Sequence, residues 1–129
     1  IPPHGGHGDG RIADQLQVHA HQELDHALAI ARQLDYFDAY PVHEPKPIEV
    51  SDDNEGMLEA DLRAEDDTIQ NYRIRIRQAD ALGEYALGEV LRGIVAQEQD
   101  HQIDLATALG VVPDEQKRKN KAAAKSKSK

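Results

Sequence analysis

The chain has 129 residues, 39% hydrophobic and 30% charged, enough apolar content for one compact domain with a single core and too little for two. It contains no cysteine, which excludes disulfides, thiolate nucleophiles and cysteine-bound zinc or iron–sulfur sites, so any metal must be held by oxygen and nitrogen. The net charge of −9 is uneven: Lys117 to Lys129 holds six Lys, one Arg and no acid, so 8 of the 15 basic residues face all 24 acids, a body charge of −16 that attracts cations and repels nucleic acid.

Aromatics are only 4% and Trp is absent, while Ala, Leu, Gln, Glu, Asp and Arg dominate, so the composition favours helices over sheets. No apolar run approaches the roughly 18 to 20 residues of a membrane span, and no signal-peptide pattern is visible. A soluble, cytoplasmic protein with no membrane partner is expected. The first residue is Ile rather than Met, so something upstream is expected to have been removed or to lie elsewhere.

Residues 1–10, IPPHGGHGDG, are Pro/Gly-rich without periodicity and predict a flexible lead, in which His4 and His7 have the composition for weak metal capture but more commonly bind nothing. From about Arg11 to Phe37, Ile12, Leu16, His19, Glu23, His26, Ile30, Leu34 and Phe37 recur at spacings of three and four, one helical face. Tyr40 to Val50, with Pro41, Pro45 and Pro47, cannot continue a helix and predicts an extended surface crossover. Ser51 to Glu55 is an N-cap region with acids in the first turn, followed by a second stripe of Leu58, Leu62, Glu65, Ile69, Tyr72 and Ile76. Gly83 punctuates the pattern. From about Glu84, a third stripe of Leu87, Leu91, Ile94, Val95, Glu98, His101, Leu105 and Leu109 ends at Gly110, with Pro113 beyond. Three long helices result, each roughly 40 Å long at 1.5 Å per residue, within one bundle domain over residues 11–112. Residues 113–129 predict a disordered basic tail, the only segment whose charge suits nucleic acid.

Two Glu-x-x-His quartets, Glu23-Leu24-Asp25-His26 and Glu98-Gln99-Asp100-His101, lie on apolar stripes, and Glu65 lies on the third. Residues three apart share a helix face, so each quartet aims a carboxylate and an imidazole into the space between helices. An unpaired buried carboxylate costs several kcal/mol, and a cation bridging the helices removes that cost. Hard carboxylates with neutral imidazoles suit iron, manganese or zinc. The rival readings are solvated surface residues, or a buried ion-pair network without metal. His19, one turn before Glu23, is a neighbour of the ligands, an extra ligand, or a rim histidine with a partner of its own. Tyr72, two turns after Glu65, either hydrogen-bonds a metal carboxylate or is a core aromatic. No phosphate loop, nucleophile elbow or dinucleotide-binding glycine pattern is present.

The stretches HAHQELDHALAIARQLDY, EPKPIEVSDD, DLRAEDDTIQNYRIRI and QEQDHQIDLATALG resemble the ferritin-like di-metal carboxylate superfamily, and within it bacterioferritin-type bacterial proteins. The resemblance implies an all-α ferritin-like bundle in which Glu23 and Glu98 bridge two iron ions (manganese being the alternative), His26 and His101 are terminal imidazoles and Glu65 a terminal carboxylate. It implies a ferroxidase that oxidises Fe(II) with O2 or peroxide for iron detoxification or storage, within a homo-oligomer. The rivals are a di-metal oxidase or oxygenase of a small organic substrate, and a non-enzymatic helical interaction or DNA-protecting module. Two departures stand out. The family's first helix, with one more Glu, has no counterpart, so a separate or removed fragment, or another subunit, is expected to supply it. Gln22 and Gln97 stand where bacterioferritins carry an Asp that accepts the imidazole proton, which makes them weaker orienters of the ligands. Haem is not expected, since Leu24 follows Glu23 and Met57 is the one Met of the chain.

Overall fold

The computed structural model describes residues 7–41, 47, 49 and 51–128. Four helices follow in order: α1 (His7–Tyr36), α2 (Asn54–Ala81), α3 (Tyr85–Leu109) and α4 (Asp114–Lys127). No strand occurs among the described residues. The fold is an all-α helical bundle.

The first three helices stop in the same way. After α1, Ala39 N–H donates to Leu34 C=O at 2.9 Å and Asp38 N–H to Asp35 C=O at 3.1 Å, with Asp38 at φ 51°. Gly83 (φ 75°) and Gly110 (φ 68°) make the same reversal after α2 and α3. A left-handed residue at this point satisfies carbonyls that the helix end leaves unpaired, and glycine, or less readily Asp, adopts that conformation. At the start of α2, the Asp53 carboxylate accepts the Gly56 N–H at 2.5 Å, an N-cap that fixes where the chain re-enters the helix.

α3 is the central element: it packs along α2 and, over a shorter stretch, against α1. Leu82, Gly83 and Glu84 join α2 to α3 as a tight hairpin, and the ion pair between Asp80 and Arg92 closes it. Gly88 is buried beside that pair, where an added Cβ would stand 2.7 Å from Asp80 Oδ1. Contacts across α1 and α3 pair ascending with descending numbers, His19 with Asp104, Gln22 with His101 and His26 with Gln97, so these helices are antiparallel. α2 is likewise antiparallel to α3, which makes α1 and α2 parallel and requires the chain between them to run back along the bundle, as the proline-rich crossover predicts. Tyr40, Pro41, Pro47 and Glu49 are its described members, and the rest lies outside the described residues. The core is Ala60, Ile69 and Ala79 of α2 against Leu91, Ile94, Leu105 and Ala106 of α3.

Three expectations need correction. His7 to Gly10 belong to α1 rather than to a flexible lead, because extending a nucleated helix adds one hydrogen bond per residue fixed; residues 1–6, with His4, lie outside the described residues. The basic tail is helical over Asp114–Lys127: Pro113 fits the helix start, Ala122 to Ala124 and the Lys residues have high helix propensity, and Lys125 and Lys127 in the last turn suit the negative end of the dipole. Leu16 on α1 and Phe37 just past its end are about 40% exposed (41% and 40%) although both lie on the predicted apolar stripe, because α3 covers only part of that face.

Ile69 is fully buried between α2 and α3 (0% exposed), so Ile69→Ala should cost about 3 kcal/mol through lost transfer energy and the cavity left behind. Urea unfolding measures this, and a loss below about 1 kcal/mol would show that the α2–α3 seam is not the core.

Candidate metal centre

Halfway along the bundle, α1 contributes Gln22, Glu23 and His26, α2 contributes Glu65, and α3 contributes Gln97, Glu98 and His101. The spacing explains the convergence, since each quartet spans one helical turn and both turns face the same interhelical space. One ligand atom each from Glu23, Glu65, Glu98 and His101 lies within 4.8 Å of the others. His26 is outside that tight group of four but adjoins it. Its Nδ1 is 2.9 Å from Glu98 Oε1 and 3.6 Å from Glu23 Oε2.

The carboxylates divide their oxygens between the two imidazoles. Glu98 directs Oε1 to His26 Nδ1 and Oε2 to His101 Nδ1, at 2.9 and 3.8 Å. Glu23 directs Oε2 to His26 Nδ1 and Oε1 to His101 Nδ1, at 3.6 and 3.3 Å. Glu65 approaches His101 alone, with Oε1 3.7 Å from its Nδ1. Two carboxylates, Glu23 and Glu98, thus lie against both imidazoles, and the third, Glu65, lies against His101 alone.

Both imidazoles are held by an amide on the opposite helix. His26 Nε2 donates to Gln97 Oε1 at 2.5 Å, and His101 Nε2 donates to Gln22 Oε1 at 2.6 Å. These bonds put the ring proton on Nε2 and leave each Nδ1 with a lone pair aimed at carboxylate oxygens. His26 Nδ1, His101 Nδ1, Glu65 Oε2 and Glu98 Oε1 are all buried without a hydrogen-bond partner. Facing lone pairs repel, and buried polar atoms without partners are uncommon in folded proteins. Two nitrogen and two oxygen donors left bare at one point fit divalent transition-metal ions, which each lone pair can bind.

The titration behaviour has the same cause. Burial first, then the neighbouring Glu65 carboxylate, push Glu98 up to about 7. Burial, followed by Glu98, raises Glu23, and Glu65 is raised chiefly by burial. His101 is lowered by burial and then by the charge of His19, which favours the neutral imidazole. Tyr72 is pushed up to about 12 by burial and then by Glu98, Glu23 and Glu65, so its phenol stays protonated in the field of the cluster.

His19 occupies the position next to His101. The two rings stack at 4.0 Å between centroids and 21° between planes, and His19 Nε2 pairs with Asp104 Oδ2 at 2.9 Å. Sequence reading did not single out Asp104, although it lies three residues after His101 on the same face. Asp66, which accepts from the buried Gln102 at 2.5 Å, was also passed over. The available signal was an acid or amide next to, or one turn from, each ligand. His7 lies in the first turn of α1.

Comparison with known proteins agrees with this geometry. The family described as the ferritin-like domain matches residues 5–114. A protein of Brucella melitensis named bacterioferritin is 26% identical over 110 residues, covering 80% of this chain and 68% of that protein. A crystal structure from Bacillus anthracis, described as ferritin-like, diiron-carboxylate proteins, matches with a TM-score of 0.75 and 26% identity, covering 81% of this chain and 76% of that one. With a family match over most of its length and a bundle that brings both Glu-x-x-His quartets together, the chain belongs to the ferritin-like domain family.

Proposed function

We propose that this chain carries the ligands of a di-iron ferroxidase centre: Glu23 and Glu98 bridge two iron ions, His26 and His101 each cap one, and Glu65 completes the position at His101. The observation that carries this reading is the set of four buried donors without hydrogen-bond partners, with both imidazole protons already committed to Gln97 and Gln22. Two iron ions held there would supply the redox chemistry, two electrons that with two protons reduce one O2 to hydrogen peroxide. The protein's own residues do the rest. Gln22 and Gln97 hold the imidazoles in the tautomer that presents Nδ1, and burial keeps His101 neutral and available. The neutral amides add no negative charge, so the three carboxylates carry the anionic charge of the set. Manganese is the metal alternative for the same donors.

Glu23 is about half exposed (49%), and Leu16, Leu24 and Leu28 of the same helix are exposed apolar side chains. We place on this side a further helix with one inward Glu, from a segment outside this chain or from a second subunit, since a long apolar strip beside a charged cluster needs cover. The charge of α4 suits phosphate, but the acidic body opposes it, and α4 has no part in the metal chemistry proposed here.

Glu98→Ala removes a bridge and should abolish tight metal binding. Elemental analysis of the purified variant reads this directly, and unchanged metal content would contradict the ligand assignment.

The raised acids set the pH dependence. With Glu98 near 7 and Glu23 and Glu65 raised, protons compete with the metal at and below neutrality. Affinity for Co(II) should therefore rise by about tenfold between about pH 6 and about pH 8, with protons released on binding. Equal affinity at both pH values would mean that metal binding displaces no protons from these carboxylates.

Aerobic addition of Fe(II) should give a ferric species faster than in protein-free buffer, as read by stopped-flow absorbance. Metal binding without faster oxidation would move the reading to an oxidase or oxygenase of a small organic substrate.

A further inference from the structure

We propose that α4 is an exchanged arm: it docks in the groove between α2 and the end of α3 on a second copy of this chain, and that copy's α4 docks here in return. α4 carries five Lys and one Arg against Asp114 and Glu115. It lies along none of the other helices, and residues 117–128 are exposed. Among the described residues no ion pair engages Arg118, Lys119, Lys121, Lys125 or Lys127. A helix of 14 residues without packing is marginal in water, and like charges four apart, as at Lys121 and Lys125, repel. The arm therefore gains stability from a surface that is acidic and partly apolar.

Such a surface adjoins the root of the arm. A groove of about 210 Å³ takes Glu55, Glu59 and Asp66 from α2, and Leu109, Val111 and Val112 from the end of α3 and the connection to α4. Asp66 is engaged by Gln102, and Arg63 at the groove edge by Glu49, while Glu55 and Glu59 form no ion pair among the described residues. Glu55 and Glu59 are one turn apart, as are Lys121 and Lys125, so the two sets of charges repeat at the same spacing of about 6 Å. Ala124, three residues after Lys121, shares the basic face and sets a small apolar side chain against the valines. The chain's own arm does not fill this groove: among the described residues of α4, Lys117 alone lines it. Because the arm is rooted at the groove edge, a two-fold axis beside Pro113 lays each arm in the partner's groove and closes the pair with two identical contacts. A nucleic-acid backbone laid along the same arm would meet Glu55, Glu59 and Asp66 at its root, whereas a second copy puts those acids to use.

The test is sedimentation equilibrium of the 129-residue chain at about 0.1 M NaCl, where repulsion between the acidic bodies beyond about 10 Å is screened and pairs in contact are not. The expected result is a reversible species of twice the 14.3 kDa of one chain. Lys121→Glu with Lys125→Glu should raise its dissociation constant at least about tenfold, and Glu55→Lys with Glu59→Lys should do the same. The second pair separates the arm contact from general charge, because it makes the chain less negative and would tighten any association limited by repulsion alone. If that variant does not fold, Glu59→Lys alone makes the comparison. The chain carrying all four changes has an acidic arm and a basic groove wall, and should recover the wild-type constant to within about threefold, as should an equal mixture of the two double variants. A wild-type chain that stays monomeric up to about 200 μM, association unchanged by either pair, or no recovery in the fourfold variant would each overturn the proposal. So would retardation of a DNA duplex in a gel that Lys121→Glu with Lys125→Glu abolishes while the molecular weight stays the same, since the arm would then serve nucleic acid.

Discussion

Two imidazole lone pairs facing carboxylate oxygens inside an apolar bundle are the constraint around which the rest of the molecule is arranged. Burial first, then the neighbouring Glu65 carboxylate, displaces Glu98 to about 7, and four of the atoms there have no hydrogen-bond partner. Under the proposed function, cations bound there would turn the contacts between these donors from repulsive to attractive. The bundle is therefore expected to be held apart at its middle when metal-free and drawn together when loaded.

The fold serves this in a simple way. α3 brings Glu98 and His101 to the centre, α2 is locked to it by a short hairpin and an apolar seam, and α1 is tied across by three polar contacts at successive turns, through His19, Gln22 and His26. The crossed amides are reciprocal: the residue before each bridging Glu holds the imidazole of the other helix. A rotation of α1 by one residue would point Glu23 and His26 away from α3 and break all three contacts at once. Ligand geometry and helix packing are therefore one constraint, not two.

Much of this was legible in the sequence because it is local and periodic. Glu23 and His26, Glu65, and Glu98 and His101 interrupt apolar stripes at helical spacing, and glycine at 83 and 110 marks helix ends that the structure places there. Which residues pair across helices was legible only through the family resemblance, which put Gln22 and Gln97 where an acceptor for the imidazole proton stands. Gln22 with His101 and Gln97 with His26 are separated by 79 and 71 positions, and no local pattern shows that separation. Asp104 lies one turn after His101, a signal that was there to read, but its partner His19 is 85 positions away and no local pattern shows that pairing. The helical tail was misread for the opposite reason: its composition was weighed as charge, while the Ala run and Lys propensity that favour a helix were not.

The central claim, that the buried donors form a two-metal site, is tested most directly by anomalous diffraction at the iron edge from crystals grown with Fe(II) under argon. Two peaks are expected roughly 3.5 to 4 Å apart, both between Glu23 and Glu98, one beside His26 and one beside His101 and Glu65. No peak within this cluster, or iron found only at the acidic surface, would contradict it.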